Sequence, residues 1–421
     1  MTGTAPSFRS PFLRCFVARG QYYDSTDPAG LDRLLEQESV AAYIGFDCTA
    51  PSLHVGNLVQ IMTLRRLQQA GHKPIVLMGG GTTKVGDPSG KEDTRQLLTP
   101  ERIGANKASI LKTFERFLSF GSGTSAAVMV DNADWLDRLA YIPFLREVGR
   151  HFSVNRMLTM DSVRLRLERE QPLSFLEFNY MILQAYDFLE LYRRHGCRLQ
   201  CGGSDQWGNI VSGIDLARRI DNAELYALTS PLITTSSGAK MGKTAAGAVW
   251  LNADMCAPYA YWQYWRNTED ADVGRFLRLF TDLPEDEIVR LESLKGSDRN
   301  EAKKILATAA TALCHGQQEA DSAADTARRT FESGELAEGL PTIEIPREQL
   351  ASRMLVANLA HLAGLTTSSG EARRLIQSGG LRLNDQTVVD VKMAAGLEQL
   401  TPEGVMKISV GRKKHALIRP A

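Results

Sequence analysis

The sequence predicts an α/β protein: a mostly parallel sheet wrapped by helices, then an α-helical stretch and a small basic α+β module. Three observations carry this expectation. Short apolar runs alternate with longer helical patterns from about residue 40 to 235, as in a parallel sheet with helical crossovers. After Trp250 the strand signals stop. The last 71 residues hold ten Lys/Arg and five Asp/Glu, a local +5; the 421-residue chain balances 49 Lys+Arg against 49 Asp+Glu, leaving −5 for the first 350. With 43% apolar and 23% charged residues the chain is an ordinary globular one, neither disordered nor uniformly basic. Its length implies roughly two to four domains, and no apolar run approaches the roughly 18 residues that cross a bilayer.

The first 23 residues carry Arg9, Arg14 and Arg19 with no acid before Asp24. That pattern fits an organellar presequence, or a short tail leading into an N-terminal helix, which is the expected form. AAYIGF (41–46), KPIVLMGG (73–80), AAVMVDN (126–132) and CRLQCGG (197–203) read as strands. Between the first two, Val55, Leu58, Val59 and Met62 recur at helical spacing up to Gly71, which completes one βαβ unit. The helix-rich stretch from about 104 to 195 is too long for a crossover and is expected to be an insertion between the two halves of the sheet. The expected divisions are 1–245 with that insertion, a helical domain over 246–333, a linker over 334–346, and a basic module over 347–421. The six cysteines are sparse and suit a reducing compartment; His195, Cys197 and Cys201 lack zinc-ribbon spacing, so a plain strand is expected there.

Four segments carry chemistry. In YIGFDCTAPSLHVGNL a strand runs through a turn-rich loop into a helix start, a place where open parallel sheets bind ligands and phosphates. His54 and Asn57 stand at that mouth, where a histidine is also a common cap. MGGGTTKVGDPSGKEDTR is glycine-rich and basic at Lys84, Lys91 and Arg95, but no Gly-Lys-Ser/Thr ends it, so it is not a Walker loop. If helical, Lys91 and Arg95 would face one phosphate site. In SFLEFNYMILQAYDFLELY, the spacing of Tyr180, Gln184 and Asp187 stacks them on one helix face, as a polar stripe toward solvent or toward a polar pocket. GGSDQWGN then sets Gly203, Asp205 and Gln206 on a loop at the same sheet edge, and TTSSGAKMGKT brings Lys240, Lys243 and Thr244 on a small, polar loop.

HVGN at 54–57 followed by KMGKT at 240–244 resembles the HIGH and KMSKS pair of class I aminoacyl-tRNA synthetases. Together with YIGFDCTAP, GDPSGK, NYMILQAYDF and GGSDQWGN, the chain resembles the bacterial-type tyrosyl-tRNA synthetases from about Pro11 to the C-terminus. The tail resembles the ribosomal-protein-like RNA-binding module that ends them. Asn57 replaces the second His of HIGH, and Gly242 and Thr244 stand where KMSKS has Ser.

The resemblance implies a Rossmann-like catalytic domain and a tyrosine–tRNA ligase that activates tyrosine with ATP and esterifies tRNA(Tyr). It implies that Tyr43 and Asp187 bind the phenol hydroxyl, that Asp87, Tyr180 and Gln184 hold the ammonium, and that Gln206 lines the tyrosine site. Gly45, Asp47, Thr49, Gly56, Asn57, Gly203 and Asp205 would serve ATP, with Gly203 and Asp205 at the ribose. His54 would meet the phosphates, Lys240, Lys243 and Thr244 would close over pyrophosphate, and Lys91 and Arg95 would assist. Mg²⁺ would arrive with ATP, with no protein metal cage. A homodimer formed through the insertion, a cytoplasmic location (organellar if the N-terminus is a transit peptide) and no membrane partner complete the expectation.

Overall fold

The computed structural model describes residues 7–88, 98–236, 238, 241–244, 247–330, 340–411 and 414–421. It contains two compact units, Met1–Met241 with Glu269–Leu294, and Gly242–Thr268 with Lys295–Ala421.

The first unit is built on a six-stranded sheet. In chain order its strands are β1 (Asp24–Ser25), β2 (Ala41–Phe46), β3 (Lys73–Met78), β4 (Val128–Asp131), β5 (Cys197–Gly203) and β6 (Tyr226–Ser230), and their spatial order is β1-β6-β5-β2-β3-β4. All pair in parallel except β1, which runs antiparallel to β6. The chain moves outward from β2 through β3 and β4, then returns to lay β5 on the other side of β2. The order therefore reverses between β2 and β5, and the crevice beyond their carboxyl ends is where an open parallel sheet binds ligands.

β2 and β5 have the expected bounds. The 73–80 and 126–132 runs form shorter strands, Lys73–Met78 and Val128–Asp131; beyond their carboxyl ends the Gly80 and Gly81 N–H groups donate to the Asp131 and Asn132 side chains. β1 and β6 were not among the expected strands; all five residues of β6 are buried, so it offers no polar alternation to read. The helix expected after β2 begins as a 3₁₀ turn, Val55–Asn57, and continues as Leu58–Gln69. The Tyr180–His195 helix ends on Gly196 in the left-handed conformation (φ 61°), with Arg193, Arg194 and His195 in its last turn, which complements the helix dipole. It packs against the Trp207–Asp221 helix at Gly213, where an added Cβ would lie 3.1 Å from the Phe188 side chain. Tyr43, Ile75, Leu77, Phe188, Cys197 and Ile210 belong to the core between these helices and the sheet.

The stretch expected as one helical domain, 246–333, is shared between the units. Helices Val273–Phe280 and Glu285–Ser293 lie in the first. There the buried Arg66 guanidinium donates to the Arg278 and Leu279 carbonyls at 2.7 and 2.8 Å, satisfying acceptors that a helix end leaves open.

In the second unit, helices Pro258–Arg266, Arg299–His315 and Gln317–Arg328 bury Tyr261, Trp262 and Trp265. The C-terminal part has its own core, including Leu350, Val356, Leu381, Ile408 and Ile418. Within the expected 334–346 linker, Thr342–Ile345 is a strand lying parallel to Lys414–Pro420. Its β-branched Thr-Ile-Glu-Ile alternation suits a sheet edge.

Candidate active site

The crevice at the β2/β5 switch is assembled by strand ends, short turns and one helix. β2 supplies Tyr43, which is 0% exposed and packs edge-on against Phe188 with ring centroids 5.3 Å apart. Its hydroxyl is buried and has no hydrogen-bond partner among the described residues. Burial raises the Tyr43 pKa, and the Asp187 carboxylate, the next largest influence, raises it further.

Asp187, 2% exposed, comes from the Tyr180–His195 helix. Trp135 Nε1 donates to one of its oxygens at 2.8 Å and Asn132 Nδ2 to the other at 2.9 Å. Burial nevertheless pushes its pKa up to about 8, because desolvation outweighs those two donors and the nearby Asp47 and Asp131 charges add to it. A buried carboxylate with both oxygens contacted by donors, near a buried hydroxyl lacking any partner, suits a ligand hydroxyl.

The other two residues of the stripe also face the crevice. Tyr180 donates its hydroxyl to Asp47 Oδ2 at 3.3 Å. Gln184 Nε2 donates to Gln206 Oε1 at 3.3 Å, while Asn209 Nδ2 donates to Gln184 Oε1 at 2.9 Å. Gln206 Nε2 in turn donates to Asp87 Oδ2 at 3.1 Å. One helix face and two loops thus share a continuous amide–carboxylate network, so the Tyr180–Gln184–Asp187 stripe faces a polar pocket and not open solvent.

His54 is the cap of the 3₁₀ turn Val55–Asn57. Gly56 N–H donates to its Nδ1 at 2.9 Å, so the neutral ring carries its proton on Nε2, a donor suited to a phosphate oxygen. Asn57 Oδ1 accepts the His54 N–H at 3.1 Å, which gives the residue in place of a second histidine a defined job. An added Cβ at Gly56 would lie 2.6 Å from the His54 ring and 3.0 Å from the Met241 carbonyl; only glycine lets the ring fold back there.

The glycine run after β3 is needed for close approach. Gly80 N–H donates to Asp131 Oδ1 at 3.1 Å and Gly81 N–H to Asn132 Oδ1 at 2.8 Å. A Cβ at Gly79 would lie 2.3 Å from Asp47 Oδ1.

Gly45, Thr49 and Asp205 are exposed at the mouth. Gly203 is the buried last residue of β5, and a side chain there would meet Asp205 Oδ1 at 2.6 Å. Lys243 and Thr244 form a short strand paired with Gly247–Ala248 in the second unit. Lys91, Arg95 and Lys240 lie outside the described residues. Sequence reasoning missed Asn132, Trp135 and Thr82. Their common signal is position: each lies just beyond the carboxyl end of β3 or β4, where ligands of such sheets are met.

Comparison with known proteins follows the same lines. Residues 35–332 match the family model described as tRNA synthetases class I (W and Y). A tyrosine–tRNA ligase of Nitrobacter winogradskyi is 64% identical over 415 residues, which is 99% of this chain and 100% of that protein. One from Bradyrhizobium diazoefficiens is 62% identical, again over 99% of this chain and all of its own length. Among solved structures, a C-terminally truncated mitochondrial tyrosyl-tRNA synthetase of Aspergillus nidulans superposes with a TM-score of 0.69 and 30% identity, covering 77% of this chain and 95% of that one.

Proposed function

The chain belongs to the class I tRNA synthetases of the tryptophan and tyrosine group, and we propose from that premise that it is a tyrosine–tRNA ligase. It activates L-tyrosine with ATP, releasing pyrophosphate, and transfers tyrosine to the 3′ end of tRNA(Tyr). The observation that carries the choice of amino acid is the partnerless, buried Tyr43 hydroxyl close to the Asp187 carboxylate. A phenol supplies both with a partner; phenylalanine leaves them unsatisfied, at about 1–3 kcal/mol for each buried group.

Asp87, Tyr180 and Gln184 hold the ammonium, with Gln206 binding through the same network. The tyrosine carboxylate has a pKa of roughly 3.5 and is already ionised at neutral pH, so attack on the α-phosphate needs no dedicated base. What the site supplies is alignment and positive or donor groups where charge develops. His54 Nε2–H serves the phosphates from a turn locked by Gly56 and Asn57. Gly45, Asp47, Thr49, Gly203 and Asp205 line the nucleotide side, Lys240, Lys243 and Thr244 serve the leaving pyrophosphate, and Lys91 and Arg95 assist. Mg²⁺ enters as part of the ATP substrate.

The basic C-terminal module reads tRNA. The enzyme works as a homodimer joined through the insertion, whose Tyr141, Ile142, Val154 and Phe175 are 58–69% exposed, an unusual concentration of large apolar side chains facing solvent. Its six free cysteines suit the cytoplasm.

Tyrosine-dependent ATP–pyrophosphate exchange, run in parallel with tryptophan and phenylalanine, tests the assignment; exchange supported best by tryptophan would overturn it. Removing residues 346–421, which carry a separate core, is expected to spare exchange and cripple tRNA charging. Normal charging by the shortened chain would contradict the tRNA-reading role of the module.

A further inference from the structure

Between the two ends of the amino-acid pocket lies a hydroxyl to which nothing above assigns a role. Thr82, 3% exposed, follows the glycine run after β3. Its Oγ1 donates to Asp47 Oδ1 at 2.8 Å and accepts from Asn132 Nδ2 at 3.0 Å. The direction of every proton in this bridge is determined. Asn132 Oδ1 accepts the Gly81 N–H, so its amide nitrogen must face Thr82 and Asp187. A hydroxyl has one proton, and having accepted from the amide, Thr82 gives that proton to the Asp47 carboxylate. Asp47 in turn receives the Tyr180 hydroxyl on its other oxygen.

The chain Asp187–Asn132–Thr82–Asp47–Tyr180 thus runs without a break from the phenol end of the pocket to the ammonium end. Gly79 confirms how tightly it is built: a Cβ there would lie 2.6 Å from Thr82 Oγ1 and 2.3 Å from Asp47 Oδ1.

We propose that Thr82 is a positioning residue for tyrosine recognition, its hydroxyl holding the Asp47 carboxylate toward Tyr180 while fixing the Asn132 amide toward Asp187. The proposal rests on the tyrosine reading given above. Valine is nearly isosteric with threonine but cannot bridge, whereas serine keeps the hydroxyl.

In ATP–pyrophosphate exchange, Thr82→Val is expected to raise KM for tyrosine about tenfold, the scale of a lost hydrogen bond to a charged group, with a clearly smaller rise in KM for ATP, because Asp47 also borders the nucleotide side. Discrimination against phenylalanine should fall by a similar factor, and Thr82→Ser should recover most of the tyrosine affinity. An active wild type with a Thr82→Val variant that matches it overturns the proposal. So do equal losses in the Ser and Val variants, or a loss shared evenly by tyrosine and ATP, since those outcomes belong to packing and not to the hydroxyl. A wild-type chain inert with tyrosine removes premise and proposal together, a result distinct from all of these.

Discussion

The two ends of the crevice, proposed above to take the amino acid and the nucleotide, are built on opposite plans. At the amino-acid end, Tyr43 and Asp187 are buried and both Asp187 oxygens already hold fixed donors. At the nucleotide end, Gly45, Thr49 and Asp205 are exposed, and His54 rides on a three-residue turn. The difference follows from what each end must do. Rejecting a ligand that lacks one hydroxyl depends on leaving polar groups unsatisfied, a penalty that exists only where water cannot fill in. Stabilising charge that develops on phosphates needs aimed donors, which a short, capped turn provides. Mutations at the two ends should therefore fail differently.

The largest effect is expected at the exposed end. His54→Ala removes an aimed donor and should slow adenylate formation by about 10²–10³-fold, the usual scale for losing one such group, with tyrosine affinity nearly unchanged. Single-turnover measurement of adenylate formation reads this directly, and an unchanged rate would remove His54 from the phosphates. Next comes Tyr43→Phe, which takes one partner from the phenol. KM for tyrosine should rise about tenfold and phenylalanine rejection should narrow by a similar factor, while KM for ATP stays put. A variant that lost ATP affinity as well would erase the division between the ends.

Much of this arrangement was legible in the sequence, for a specific reason. The 180–187 stripe lies inside a helix, where a period of 3.6 fixes which way a side chain points, whereas Tyr43 was singled out by the family resemblance and not by any alternation in its strand. β2 and β5 could be located as short apolar runs, and the Tyr180–His195 helix from its period. Asn132, Trp135 and Thr82 could not, because their partners lie 35–55 residues away and only sheet order brings β3, β4 and the stripe helix together. The same limit explains the shared 246–333 stretch. Each helix is recognisable from its period, but the burial of Val273–Phe280 in the first unit depends on carbonyls reached by Arg66, more than 200 residues earlier.

A smaller effect tests burial at the amino-acid end. Asp187 has a pKa raised to about 8 from an ordinary 3.8, chiefly by burial. A carboxyl raised in the folded state contributes its full stability below its unfolded pKa and loses it as pH climbs toward the folded one. Wild-type stability should therefore fall, from this group, between about pH 4 and pH 8. Asp187→Asn does not titrate, so thermal melts at pH 5 and pH 8 should show the variant gaining on the wild type as pH rises. A constant gap would mean that the carboxylate is not desolvated.

The smallest effect separates a motif from its physical role. Asn57 stands where related signatures carry a second histidine, yet its contact here is local: its side-chain oxygen accepts the His54 N–H and completes a capping box with the ring's own bond to Gly56. A lost cap of this kind costs about 1 kcal/mol, and the Gly56 bond to Nδ1 still fixes the tautomer. Asn57→Ala should accordingly slow adenylate formation only about fivefold, far less than His54→Ala, and leave KM for tyrosine unchanged. Pre-steady-state adenylate formation distinguishes the cases. A loss as large as that of His54→Ala would mean that Asn57 touches the nucleotide itself, and the exposed end would then hold two aimed donors where the capping geometry provides one.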